Sequence, residues 1–271
     1  MNYEAFQPPG GSTFAEKLYQ PLTEWILLKR PRGPRTVIVG VNGPQGAGKS
    51  TLCRELVGRL TTAGANAISI SIDDFYLTRK EQEALAAANP ENKYWQQRGY
   101  PGTHDLKLAL STFRKFLRRE RGFKIPTYDK SAFEGRGDRA PEDTWTEIKK
   151  APDFVFLEGW FTGFMALGPS HPKPDLVQVD ARLIGYEELW SFFDLFIFLD
   201  PLEHQFVIDW RIEAEKNMKA AGKSGMSREE AEKYVRLFLP AYEAYLPGLR
   251  LQAPNVRAAL RVRIAKDRSP E

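Results

Sequence analysis

Thiol chemistry is almost absent from this chain, in which Cys53 is the only cysteine among 271 residues. No internal disulfide can form, which suits a reducing compartment. A lone thiol inside a helix-like run reads as a small buried hydrophobe rather than a nucleophile. Nor does any apolar run approach the roughly 20 residues that cross a bilayer. No basic-then-apolar leader opens the sequence, and Glu4 and Glu16 argue against a transit segment. A cytoplasmic protein with no membrane partner is therefore expected. Charge of one sign is also lacking, since the net charge is only +4. The basic cluster at residues 115–121 shares an amphipathic pattern with Leu110, Phe113, Phe116 and Leu117. It reads as a solvated helix face, so no nucleic-acid partner is expected. Internal repeats and low-complexity tracts are missing too. A hydrophobic share of 42% and a charged share of 27% describe an ordinary globule. The length suits one large α/β domain or two small ones.

The densest information lies in Gly43-Pro44-Gln45-Gly46-Ala47-Gly48-Lys49-Ser50, followed by Thr51. It follows the apolar run 36–41 and opens a helix-like run to Leu60. Strand, glycine-rich loop and helix in this order, with G-x-x-x-x-G-K-[ST] spacing, form a phosphate-binding P-loop. Glycines let several backbone N–H groups face one anion, and the helix N-terminus behind them adds partial positive charge. Lys49 is placed to reach the β- and γ-phosphates, and the Ser50 hydroxyl to hold Mg²⁺. A nucleoside triphosphate and Mg²⁺ are thus the expected cofactors.

Further strands are expected at 67–72, 154–157, 195–199 and 256–264, and a short one within 124–128. Helices are expected at 14–30, 105–119, 203–219 and 228–238, and a polar helix-like stretch runs from the acids after the 67–72 strand to Ala88. Residues 130–143 read as a long loop, and Gly222-Lys223-Ser224-Gly225 as the hinge of a lid. Alternating strands and helices predict an α/β fold, a mainly parallel five-stranded sheet covered by helices on both faces, with a helical lid. Residues 1–35 would supply a helix and linker, and 36–265 the core of a single domain. Ligands of such sheets bind beyond the carboxyl ends of the strands. The P-loop, Asp73, Glu158 and Asp200 all fall there.

Phosphoryl transfer to an alcohol needs a carboxylate for the hydroxyl proton and cations for the spreading charge. Asp73 and Asp74 compete for the first role, since either also suits a cap or turn. Glu158, after four apolar residues, stands where an acid orients Mg²⁺ or its waters. Lys130, Arg136 and Arg139 lie among glycines, and two arginines there suit a carboxylate or phosphate. Arg98, His104 and Asp105 cluster near a second turn, and Tyr128 opens the arginine-bearing segment, so these four join Lys130, Arg136 and Arg139 as candidate substrate-binding residues. Arg211, with Lys216 and Lys219, could reach the transferring phosphate from the helix before the lid hinge.

Several blocks carry a family resemblance. Ser71-Ile72-Asp73-Asp74-Phe75-Tyr76, Tyr100-Pro101-Gly102-Thr103-His104-Asp105, Pro126-Thr127-Tyr128-Asp129 and Leu157-Glu158-Gly159 occur in that order. The order resembles the uridine kinase, phosphoribulokinase and bacterial pantothenate kinase superfamily of P-loop kinases. The resemblance implies that Asp73, rather than Asp74, is the base, and that Asp105 contacts the acceptor. Within that group the chain is most similar to plant-type D-glycerate 3-kinases and their fungal relatives. The similarity rests on Tyr128-Asp129-Lys130-Ser131-Ala132-Phe133, Gly135-Arg136-Gly137-Asp138-Arg139, Phe156-Leu157-Glu158-Gly159-Trp160 and Leu239-Pro240-Ala241-Tyr242. It implies ATP-dependent phosphorylation of the 3-hydroxyl of D-glycerate, giving 3-phosphoglycerate, so ATP is the expected nucleotide. A kinase for another small alcohol or acid, such as pantothenate, is the nearest alternative. A nucleotide-dependent switch protein is the alternative from another class.

Overall fold

The structure, a computed structural model, describes residues 1–11, 13–169, 171–220, 222 and 226–271. In chain order the elements are β1 (Glu4–Ala5), α1 (Gln20–Lys29), β2 (Val37–Asn42), α2 (Lys49–Thr62), β3 (Ala67–Ser71), α3 (Arg79–Ala88) and α4 (Leu106–Leu117). Short strands β4 (Phe123–Ile125), β5 (Tyr128–Asp129), β6 (Asp138–Arg139) and β7 (Thr146–Ile148) follow. The chain continues through β8 (Phe154–Gly159), α5 (Val177–Trp190), β9 (Leu195–Pro201), α6 (Phe206–Ala220), α7 (Arg228–Arg236), α8 (Leu239–Leu251) and β10 (Ala258–Ile264).

Six strands form the central sheet in the order β1-β10-β9-β2-β8-β3, and every pair is parallel. The sequence predicts five. The additional strand is β1, whose Glu4 and Ala5 pair with Leu260 and Arg261; two residues are too few to show a period. Every residue of β2, β8 and β9 is buried. That is why these strands read as unbroken apolar runs rather than alternating ones, as expected for a sheet covered on both faces. Two antiparallel ribbons, β4 with β7 and β5 with β6, stand apart from the sheet. In the second, β5 precedes the predicted loop 130–143 and β6 lies inside it, pairing Tyr128 with Arg139.

The sequence reading overlooks α5 and α8. In α5, Val179, Leu183, Tyr186 and Trp190 are buried at helical spacing. α8 carries Pro240 in its first turn and Pro247 in its interior, which hides its pattern. Residues 14–30 are expected as one helix. They form a wider helical turn over Ala15–Tyr19 and then α1, with Pro21 in its first turn. Of the expected hinge Gly222-Lys223-Ser224-Gly225, only Gly222 lies within the described residues.

Gly40, central in β2, is opposite Leu157 on one side and Phe196 on the other. A Cβ there would lie 2.5 Å from Phe193 Cε2 and 2.9 Å from Phe196 Cδ2. Gly40→Ala is expected to cost about 1–3 kcal/mol by overpacking. A lower urea midpoint with an unchanged slope is the readout.

Candidate active site

The glycine-rich loop joins the carboxyl end of β2 to α2. Gly46 and Gly48 have φ of +82° and +90°, which glycine adopts without a steric penalty. A side chain at Gly46 would also run into Trp210. Lys49 is buried, and its Nζ donates to Pro44 O at 3.1 Å. Burial lowers its pKa, while Glu158 and Asp73 oppose that shift through their charge. Those two carboxylates therefore lie within electrostatic reach of Lys49. Ser50 Oγ donates to Glu158 Oε1 at 2.7 Å, so the ends of β2 and β8 meet at one hydroxyl–carboxylate pair.

Asp73 and Asp74, in the turn after β3, have different surroundings. Asp74 accepts from Ser71 N at 3.2 Å and from Tyr128 N at 3.4 Å, tying β3 to the acceptor ribbon. Burial pushes its carboxyl up to about 6. Asp73 instead accepts from Lys130 Nζ at 2.6 Å, and Tyr76 hydrogen-bonds the same carboxylate. Burial pushes the Asp73 carboxyl up, but the Lys130 ammonium outweighs it and holds the group below the ordinary carboxylate range. Asp73 in turn raises the Lys130 pKa against its desolvation.

Most of the remaining predicted residues surround this pair. Asp105 caps α4 by accepting from Leu108 N at 3.0 Å and pairs with Arg139 Nη2 at 3.3 Å. Arg139 also donates to Tyr76 O at 2.9 Å. The His104 ring stacks on Tyr76 with centroids 4.4 Å apart, and its Nδ1 meets Tyr186 Oη at 2.9 Å. Among the described residues, His104 Nε2 and Arg139 Nε are buried without a hydrogen-bond partner. Tyr128 is buried, edge-on to Tyr76 at 5.2 Å. Arg98 is a brace: Nη1 donates to the carbonyls of Gly135 (3.0 Å) and Arg136, and Nη2 to that of Lys130 (3.4 Å). The exposed Arg136 side chain is not brought into this group. Asp200 is committed elsewhere, paired with Arg250 at 2.9 Å and with Arg261.

Arg211 lies on α6 with its guanidinium paired to Glu215 and 4.8 Å from the Tyr234 ring centroid. Lys216 and Lys219 are exposed on the same helix. Sequence reasoning did not single out Tyr242, whose hydroxyl accepts from Gln45 N at 3.2 Å and donates to Gln45 Oε1 at 3.1 Å. The conspicuous Leu239-Pro240-Ala241-Tyr242 block was the available signal.

A glycine-rich phosphate loop, a hydroxyl–carboxylate pair and an ionised acid at one edge of a parallel sheet define a nucleotide-dependent phosphotransferase scaffold. The Phosphoribulokinase / Uridine kinase family matches residues 38–248, and the chain belongs to that family. It is 38% identical over 226 residues to the chloroplastic D-glycerate 3-kinase of Arabidopsis thaliana, a match covering 81% of this chain and 50% of the plant protein. The chain thus spans half of the plant relative's length. An uncharacterized kinase of Schizosaccharomyces pombe is 36% identical, with 81% of this chain and 84% of that protein covered. The solved D-glycerate 3-kinase of Cryptococcus neoformans var. grubii superposes with a TM-score of 0.83 at 28% identity, covering 96% and 98% of the two chains.

Burial drives the His104 pKa down from 6.5 to about 3, against the pull of Asp73. The unfolded chain takes up this proton near the ordinary value, and the folded chain refuses it. The stability that follows is complete above about pH 6.5 and is lost as the pH falls toward about 3, at up to ~1.4 kcal/mol per pH unit. His104→Gln should flatten that slope in urea unfolding measured from about pH 7 down to about pH 4.

Proposed function

We propose that the protein is an ATP-dependent kinase that phosphorylates the 3-hydroxyl of D-glycerate, giving 3-phosphoglycerate and ADP. The observation that carries the reading is the Asp73–Lys130 pair, 2.6 Å apart, which joins the turn beyond β3 to the segment after β5. The pair lies within electrostatic reach of the P-loop lysine. A switch protein has no use for an ionised base beside its nucleotide loop. The choice of glycerate rests on the plant and Cryptococcus relatives. It also rests on the Arg139 guanidinium, held among the acceptor loops by Asp105 and the Tyr76 carbonyl. A small, highly oxygenated acid offers hydroxyl and carboxylate oxygens to such a group.

In this reading the N–H groups of residues 43–51 cradle the triphosphate and Lys49 neutralises its β- and γ-oxygens. The acceptor hydroxyl sits against Asp73, which takes its proton. Lys130 keeps Asp73 ionised, and the late proton transfer of a loose phosphoryl-transfer transition state needs only such a weak, well-placed base. Arg139, His104, Asp105 and Tyr128 orient the acid. Arg136 and Arg211 act only if their segments move toward it. Among the described residues no cluster of three or more His, Cys, Asp or Glu could hold a metal unaided. Mg²⁺ needs no such cluster, because it takes one or two protein oxygens with phosphates and waters. Ser50 and Glu158 would hold it, and when bound it would neutralise charge on the transferring group. No described helix is long and apolar enough to cross a membrane. A single kinase domain in the cytoplasm completes the proposal.

ADP release measured with and without D-glycerate tests it directly. Turnover is expected only with the acid present. Slow hydrolysis indifferent to it would favour a switch, and turnover with pantothenate alone would favour a different acceptor. Within the acid pair, Asp73→Asn should lower kcat by roughly 10²–10⁴-fold with ATP binding retained. Asp74→Asn should chiefly lower the unfolding temperature. The reverse pattern would exchange their roles.

A further inference from the structure

Arg268 lies in the turn after β10, beyond the residues that match the family. Its Nε donates to Gly46 O at 2.7 Å, so this turn grips the phosphate loop from outside. Two further contacts fix the guanidinium, and a third fixes the turn that carries it. Nη2 pairs with Glu213 Oε2 of α6 at 2.8 Å. The group lies 5.5 Å from the Trp210 ring centroid. Trp210 Nε1 in turn donates to Lys266 O at 2.6 Å, which pins the turn. Arg268 itself has φ of +70°, a left-handed conformation that few side chains adopt. Strain of this kind persists only where surrounding contacts over-determine it.

The peptide joining Gly46 and Ala47 is a planar trans unit, so its C=O and N–H point in opposite directions. Arg268 holds the carbonyl outward. The N–H of Ala47 is thereby turned into the loop, where it donates to Pro44 O at 3.1 Å, the same carbonyl that Lys49 Nζ reaches. Gly46 and Gly48 flank this peptide, and glycine permits the dihedral changes that would flip it. A carbonyl flipped inward there would face the phosphates with negative rather than positive charge.

We propose that Arg268 is a positioning residue for the nucleotide. It clamps the peptide between Gly46 and Ala47 so that the Gly46 carbonyl stays outside the cradle, leaving the triphosphate to Lys49 and the other N–H groups of the loop. The inference rests on the reading of residues 43–51 as the ATP cradle. Calorimetric titration with ATP, paired with KM for ATP and for the acceptor, tests it. Arg268→Ala should weaken ATP binding and raise the KM for ATP about tenfold, the value of one charge-assisted hydrogen bond. The KM for the acceptor should stay within about twofold. Arg268→Lys should restore part of the loss, since an ammonium can reach Gly46 O but cannot also fork to Glu213. If Arg268→Ala does not fold, Arg268→Lys and Glu213→Gln carry the same comparison, with smaller losses in the same direction. Unchanged ATP affinity with a lowered unfolding temperature would reduce Arg268 to a strut of its own turn and overturn the inference. Lys49→Ala separates the two readings. If it binds ATP normally, the cradle itself is misassigned and both fall. If it loses ATP while Arg268→Ala keeps it, only the clamp falls.

Discussion

A loop that must turn its N–H groups toward a phosphate can give them few partners of its own, so its shape has to be imposed from outside. That constraint organises this molecule. β2 delivers the loop from a position buried on both faces. Gly43 is pressed against Leu199 of β9, where a Cβ would lie 3.0 Å from the leucine Cβ. Trp210 of α6 closes on Gly46, and Tyr242 of α8 holds Gln45 through both its backbone and its side chain. Helices far apart in sequence thus converge on a few residues. The burial of Lys49 and the bond between Ser50 and Glu158 follow from that convergence.

The two acids after β3 show how neighbouring residues of one type are given separate work. Asp74 is consumed by backbone donors, Ser71 N and Tyr128 N, and so joins the sheet to the acceptor ribbon. Asp73 is left with side-chain partners only, Lys130 and Tyr76. Backbone bonds fix a group in place, whereas side-chain partners can be exchanged for a substrate. The difference in partners, more than any difference in burial, separates a structural carboxylate from a candidate base.

What could be read from the sequence was the chemistry carried by contiguous residues. The glycine-rich loop, the buried strands and the acids at their ends each have a local cause: turn conformation, burial on both faces, sheet topology. Parts of the site assembled across long separations were not legible. Arg98 reads as a substrate cation, yet its guanidinium is spent on loop carbonyls from residues 130–136. Arg136 and Arg139 look equivalent on paper. Only Arg139 is turned inward, because the β5–β6 ribbon pairs it with Tyr128 and brings it to Asp105 and Tyr76. α8 was hidden by its own prolines, and β1 by its brevity.

The turn at residues 98–105 leans on an aromatic wall. Trp160 Nε1 donates to Gly99 O at 2.9 Å, Tyr100 stacks on Phe238 at 5.2 Å, and its hydroxyl donates to Leu237 O at 2.7 Å. Trp160 also packs edge-on against Tyr242 at 5.5 Å, the residue that holds Gln45. The turn therefore shares a rigid mould with the junction of α7 and α8 and with the phosphate loop. Its shape cannot drift by itself in evolution, nor be grafted by itself between relatives. A lineage that acquires a bulkier acceptor has to recast the wall in step, so covariation between this turn and residues 237–242 should be the mark of a change in diet.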